Sequence, residues 1–129
     1  MKKLLILLFS ILISFNSHGQ WLHADTDSDG DKHYMDFTTI QKNNGYVYYW
    51  SLIDYLKPYK GDFSVTVYSE VNCNIPFKSR MISINSHKRP MGVTLRKTDN
   101  TTYGWNYPGP GSIVENILRM VCGYADMML

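Results

Sequence analysis

The chain lacks most of what would mark an enzyme or a membrane protein. Its 129 residues contain two cysteines, Cys73 and Cys122, and neither has the C-x-x-C spacing or the flanking His that lowers a thiol pKa, which argues against a catalytic thiol. G-x-S-x-G, H-E-x-x-H and a dinucleotide fingerprint are missing. Gly109-Pro110-Gly111-Ser112 is not followed by the Lys of a P-loop. No Ser, His and Asp trio is singled out by position, so the chain reads as a non-enzyme. There is no internal repeat or low-complexity linker, which favours one compact unit. No apolar run approaches the roughly 20 residues of a membrane-spanning helix.

The longest apolar run, Leu4 to Phe15, is broken only by Ser10 and Ser14. Lys2 and Lys3 precede it, and Ser17-His18-Gly19 places small residues where a signal peptidase cuts. This predicts a signal peptide over 1–19, cleavage before Gln20, and a single mature domain over 20–129, exported to the periplasm or the medium. An uncleaved N-terminal anchor is the alternative, and the run is short for it. No cysteine follows the apolar stretch, so the acylation site of a bacterial lipoprotein is lacking.

Charge of one sign is also lacking in the mature part. The whole chain has 13 Lys+Arg and 11 Asp+Glu, and removing 1–19 takes away Lys2 and Lys3, which brings the two signs into balance. A neutral domain has no overall field to steer it onto nucleic acid, and that partner is not expected.

Aromatic residues are plentiful: 10 Tyr, 3 Trp and 5 Phe, with two of the Phe in the signal. About 110 residues with that supply can build one core. An even pair of cysteines in a small exported domain most often forms a disulfide. Closing a loop of about 50 residues stabilises a fold by roughly 4 kcal/mol on the chain-entropy estimate; two buried free thiols are the alternative.

Period-two alternation dominates from Trp21 to about Tyr107. In Gly45 to Tyr55, Tyr46, Tyr48, Trp50 and Leu52 share one face, and Val47, Tyr49, Ile53 and Tyr55 share the other, as in a central strand covered on both sides. In Ser64 to Cys73, Val65, Val67, Val71 and Cys73 fall together. Shorter strands are expected at Trp21–Ala24, Lys32–Asp36, Phe77–Ser86 and Gly92–Lys97, with an extended piece near Trp105. Turn signals such as Asp29-Gly30, Asn43-Asn44-Gly45 and Lys60-Gly61-Asp62 separate them and imply an antiparallel meander. One helix is expected at the C-terminus. Ser112 and Glu115 form a capping box, Ile113, Val114, Ile117, Leu118 and Val121 make an apolar stripe, and Gly123 is a natural stop. The fold class is therefore α+β, a sheet of about six strands with the helix stripe laid on the Val65, Val67, Val71 face and pinned by Cys73 and Cys122.

Three segments are candidates for binding. Asp25, Asp27, Asp29 and Asp31, with Gly30 at the bend and Asp36 at the twelfth position, follow the oxygen-ligand spacing of a calcium loop. Lys32 at the eighth position, Asp instead of Glu at the end, and flanking β patterns favour a plain acidic hairpin tip. His23 and His33 flank the loop and offer a transition-metal alternative. Lys78, Arg80, Lys88, Arg89, Arg96 and Lys97 lie in a stretch without an acid, and a patch of them suits acidic proteins or anionic glycans; a solvated face is the plain alternative. Gly109 to Ser112 reads as a helix entry rather than an anion cradle.

The order of Trp21, Tyr34-Met35-Asp36, Ile40, Tyr49-Trp50-Ser51-Leu52-Ile53-Asp54-Tyr55, Ser69-Glu70-Val71-Asn72-Cys73, Met91-Gly92, Trp105, Pro110-Gly111-Ser112 and Cys122 resembles the surface-adhesin protein E family over nearly the whole mature chain. The resemblance implies a bent antiparallel sheet with a C-terminal helix tied to its concave side by a disulfide. It also implies surface display and binding to host matrix or serum glycoproteins; the chain departs from a tethered adhesin in lacking the lipidation cysteine. The residues themselves call for no cofactor, with calcium at the acidic loop as the alternative. From another class, the acidic loop and its histidines suggest a periplasmic metal or small-ligand carrier. A rigid loop near Pro108 to Gly111 suggests a small enzyme inhibitor.

Overall fold

The computed structural model describes residues 20–128; the signal peptide expected over 1–19 lies outside them. Seven strands form one antiparallel sheet: β1 (Leu22–Thr26), β2 (Lys32–Met35), β3 (Gln41–Asn43), β4 (Tyr46–Tyr59), β5 (Asp62–Asn72), β6 (Lys78–His87) and β7 (Leu95–Asp99). A single helix, α1 (Ile113–Asp126), follows. The strands lie in the order β1-β2-β4-β5-β6-β7, and β3 also pairs with β4. The meander arises from its turns. Asn44-Gly45 and Lys60-Gly61 each hold two consecutive positive φ values (52 and 82, 50 and 84), the pattern of a type I′ hairpin turn, whose twist matches that of the strands it joins.

The sheet has one strand more than the six expected. β3 is polar and exposed throughout, so it carries no alternation for a sequence reading to find. Its position depends on Asp36, whose Oδ1 accepts from the Thr38 amide at 2.9 Å and caps a single 3-10 turn, Phe37–Thr39. That turn lets β2 pair with Ser51–Asp54 and β3 with Tyr46–Tyr48 along the same edge of β4. Trp105 belongs to no strand; its neighbour Asn106 forms an isolated bridge to Ser79.

The helix begins where the capping box places it. Ser112 Oγ accepts from the Glu115 amide at 3.2 Å, while Glu115 Oε1 reaches back to the Gly111 amide at 3.3 Å. It does not stop at Gly123. Ala125, 2 % exposed, is packed into the core two residues further on, and that burial outweighs the roughly 1 kcal/mol that a helical glycine costs relative to alanine. Val114 turns outward, 44 % exposed; the buried stripe is Ile117, Leu118, Val121, Cys122 and Ala125.

That stripe meets Met35, Ile40, Val47, Tyr49 and Val71. Each aliphatic side chain fully buried there stabilises the fold by about 1.5–3 kcal/mol. Cys73, just beyond β5, is bonded to Cys122 across 49 residues with the Cα atoms 5.7 Å apart. The disulfide joins the far end of the helix to the sheet, and residues on α1 and on the odd-numbered positions of β4 form one core. The even-numbered positions of β4 point to the other face.

Candidate binding face

The face opposite α1 is set by cross-strand register. Tyr48 lies opposite Glu70, Trp50 opposite Tyr68 and Leu52 opposite Thr66. Glu70 in turn lies opposite Arg80. With side chains alternating along each strand, these residues share one surface. The Pro90–Gly92 turn folds over part of it. A Cβ on Gly92 would stand 3.0 Å from Leu52 Cδ1 and 3.2 Å from Thr66 Cγ2, at a φ of 72, so the close approach requires glycine.

Beyond that cover the surface is aromatic and charged. Tyr48 Oη donates to Glu70 Oε2 at 2.5 Å, and Arg80 Nε donates to Glu70 Oε1 at 2.7 Å. Glu70 is 8 % exposed, and its charge is supported by both donors. The hydrogen bond to Glu70, helped by partial burial, pushes the Tyr48 phenol up to about 12. The Arg80 guanidinium also lies 4.5 Å from the centre of the Trp105 ring, and Lys78 Nζ lies 5.0 Å from it. Tyr46 stacks on the same ring at 5.7 Å. Tyr68 links Trp50 and Tyr48, at 4.9 and 6.0 Å between ring centres.

Trp105 is held in place by its backbone. Ser79 and Asn106 exchange hydrogen bonds of 3.0 and 2.9 Å, and the Tyr103 amide donates to Met81 O at 2.9 Å. The indole is thereby fixed under two cations, where cation–π attraction holds all three groups in one geometry. The sequence puts Tyr46, Tyr48 and Trp50 on one strand face and Lys78 and Arg80 in the basic stretch, two surfaces that it offers for contact, but it gives no sign that Trp105 joins them. The signal for the aromatic part lies in that alternation, with Glu70 on the strand face opposite Val71.

The six basic residues predicted from sequence do not form one patch. Lys78 and Arg80 meet at Trp105. Lys88 and Arg89 occupy the loop after β6, and Arg96 and Lys97 lie on β7, which pairs only with Ile84–His87 of β6. β6 runs from Lys78 to His87, about 30 Å at roughly 3.3 Å per residue, and this length separates the two groups. Arg96 is further engaged by Asp62, its Nε 2.5 Å from Oδ1.

The acidic loop contracts around one carboxylate. Asp27 Oδ1 accepts from the amides of Asp29 and Asp31, both at 3.0 Å, and Oδ2 lies 2.9 Å from His33 Nε2. His33 is the main reason that the Asp27 carboxyl lies below its ordinary range. Asp27, Asp29 and Asp31 bring carboxylate oxygens within 4.8 Å of one another. Asp25 and Asp36 do not join them. Asp25 Oδ1 accepts from the Thr26 amide, and Asp36 is occupied by Thr38 and the Gln20 amide. His23 faces Thr26 and the Tyr34 ring, so the two histidines serve different partners.

A family model described as surface-adhesin protein E matches residues 21–123. No curated protein sequence matches the chain. Among solved structures, the chain is similar to Haemophilus influenzae protein E, at 16 % identity, with a TM-score of 0.63, over 84 % of this chain and 89 % of that one. Crystal form II of that protein gives a TM-score of 0.62 over 80 % and 87 % at 16 % identity. Protein E from non-typeable Haemophilus influenzae gives 0.61 over 83 % and 78 %, again at 16 %. At this identity the likeness concerns the fold, and it extends over most of each chain.

Proposed function

The chain belongs to the surface-adhesin protein E family, and we propose that it is an exported, non-enzymatic binding module for host matrix or serum glycoproteins. Its contact surface on this reading is the sheet face opposite α1, centred on Trp105, Lys78 and Arg80.

The observation that carries this reading is the half-exposed Trp105 ring fixed between Tyr46 and two cations. Aromatic and Arg side chains dominate the energetics of protein interfaces. Here they are already ordered by Glu70, the Asn106 bridge and the sheet register, so little side-chain freedom remains to be lost on association. Glu70 balances Arg80 and leaves Lys78 as a positive charge beside the ring, which suits an acidic or hydroxyl-bearing partner. No helix among the described residues is long and apolar enough to cross a membrane, and the joined Cys73 and Cys122 suit an oxidising compartment.

The test is capture of a panel of matrix and serum glycoproteins by the mature chain, measured beside an unrelated secreted domain of similar size. Saturable binding of at least one glycoprotein above that control is expected. Binding no greater than the control across the panel contradicts the adhesive reading.

A further inference from the structure

The β7 half of the divided basic stretch forms a corner of its own. Ser86 lies opposite Lys97 and His87 opposite Leu95, and the Lys88 amide donates to Thr94 O at 2.8 Å. Lys88, Arg89, Arg96 and Lys97 are thereby gathered where β6 ends and β7 begins, and all four are exposed. Lys60 borders them from the β4–β5 turn, close to the Asp62 that Arg96 holds. Ion pairs among the described residues engage Arg96 but not Lys60, Lys88, Arg89 or Lys97. The two acids of the corner have partners: Asp62 is held by Arg96, and Asp99 accepts from the Thr101 amide at 2.9 Å and from Tyr103 Oη at 2.8 Å. The acidic loop before β2 stands four strands away from β7 in the sheet order. At about 4.8 Å per strand that is about 19 Å, beyond the roughly 8 Å over which exposed charges act in physiological salt. The corner is therefore positive.

The loop that carries Lys88 and Arg89 is fixed from beneath. Ser64 is fully buried; its Oγ donates to Arg89 O at 2.7 Å and accepts from the Gly92 amide at 2.8 Å. Asp54 Oδ1 accepts from the Met91 amide at 2.9 Å. Met91 and Thr94 both hold a φ of 59, a left-handed conformation that strains any residue but glycine and a β-branched one most. The contacts with Ser64 and Asp54 impose that path. Along it two aliphatic side chains face water among the cations: Val93 is 51 % exposed and Leu95 57 %. Apolar side chains bordered by charges are the anatomy of a protein contact. A sulfated glycan would answer the cations and leave Val93 and Leu95 bare, whereas a neutral apolar segment would leave the cations unanswered.

We infer that this corner is a second contact surface, separate from the Trp105 platform, for an acidic segment of a protein partner. Its carboxylates meet Lys88, Arg89 and Lys97, and its aliphatic side chains cover Val93 and Leu95. The loop is already held in place, so binding orders little of this chain.

The experiment titrates the mature chain with a peptide of alternating glutamate and leucine, about twelve residues long and so able to cross the corner when extended, while the backbone amides are followed by NMR. Three further probes are run beside it: the same peptide with glutamine for glutamate, the same with serine for leucine, and a heparin fragment. The glutamate–leucine peptide is expected to shift the amides of residues 88–98 saturably, with a dissociation constant below the millimolar range. The glutamine and serine peptides should each bind at least about fivefold more weakly. The double substitution Lys88→Glu and Lys97→Glu, checked for an unchanged melting temperature, should weaken binding at least about tenfold, and Val93→Ser at least about threefold. If the double variant fails to fold, raising the salt serves in its place and should weaken binding of the parent likewise. No saturable shift at residues 88–98 overturns the inference, as does binding that is unchanged in the folded variants or with the serine peptide. A heparin fragment that shifts the same amides and binds more tightly than the peptide assigns the corner to a sulfated glycan and overturns it too. Glycoprotein capture lost with peptide binding retained removes the adhesive reading alone; capture retained without any response to the peptide removes the corner alone.

Discussion

The Glu70 carboxylate is shared by Tyr48 and Arg80: Tyr48 Oη donates to one oxygen at 2.5 Å and Arg80 Nε to the other at 2.7 Å. Three adjacent strands, β4, β5 and β6, each contribute one member. The cluster therefore joins the register of the sheet to the position of the cation above Trp105.

Removing the acceptor should loosen both partners. Glu70→Gln keeps the shape but loses the charge, and we expect a loss of about 2–3 kcal/mol in unfolding free energy, since a buried charged hydrogen bond is replaced by a weaker one and Arg80 loses its counter-charge. Chemical denaturation of the variant and the parent measures it. A change under about 0.5 kcal/mol, the range of an ordinary surface substitution, would contradict the account of the cluster.

Two tyrosines should resist ionisation for different reasons. The hydrogen bond to Glu70 is the main cause for Tyr48, and burial is the main cause for Tyr49; each is raised to about 12. Groups whose folded pKa lies above the unfolded value of about 10 stabilise the fold fully below pH 10 and lose that contribution as pH rises towards 12. For the buried Tyr49 the contribution is about 2–3 kcal/mol. Spectrophotometric titration should show Glu70→Gln bringing Tyr48 back towards 10 with Tyr49 unmoved. If both tyrosines moved together, the separate causes would be wrong.

Mild acid should weaken the fold through His87. Burial lowers its pKa, against a smaller opposing effect of Asp62. The unfolded chain therefore takes up the proton first, so stability is greatest above about pH 6.5 and falls as the pH drops below it. Melting temperatures from pH 7.5 to 5.5 for the parent and for His87→Gln test this. The slope attributable to His87 should disappear in the variant.

Much of this molecule is legible in its sequence because the underlying physics is local and periodic. The central strands follow from alternation, the turns from Asn-Gly and Lys-Gly pairs, and the helix start from Ser112 and Glu115. The Cys73–Cys122 bridge follows from number and compartment. Other features depend on contacts between distant residues. The continuation of α1 past Gly123 is decided by the place that the core offers Ala125. β3 exists because Asp36 turns the chain back to the edge of β4. The basic stretch divides because β6 carries its ends about 30 Å apart, which residue counts alone do not reveal. Trp105 gains its role from the Asn106 bridge to Ser79, a pairing outside any strand pattern.

The disulfide should matter most for the helix. The double substitution Cys73→Ser and Cys122→Ser removes the constraint across 49 residues and should lower stability by about 2–5 kcal/mol. Helical circular dichroism should melt earlier than the sheet signal in that variant, since α1 keeps only its apolar stripe. A single transition at the parent temperature would show that the stripe holds the helix unaided.

The most direct test of the binding face is the affinity of the mature chain for a captured glycoprotein, measured for the parent, Trp105→Ala, and Met120→Ala on the exposed side of α1. The platform account predicts that Trp105→Ala weakens binding at least about tenfold, some 1.4 kcal/mol, with its melting temperature preserved, while Met120→Ala binds as the parent does. Parent-like affinity in folded Trp105→Ala, or a loss confined to Met120→Ala, would contradict it and place the contact on the helix side.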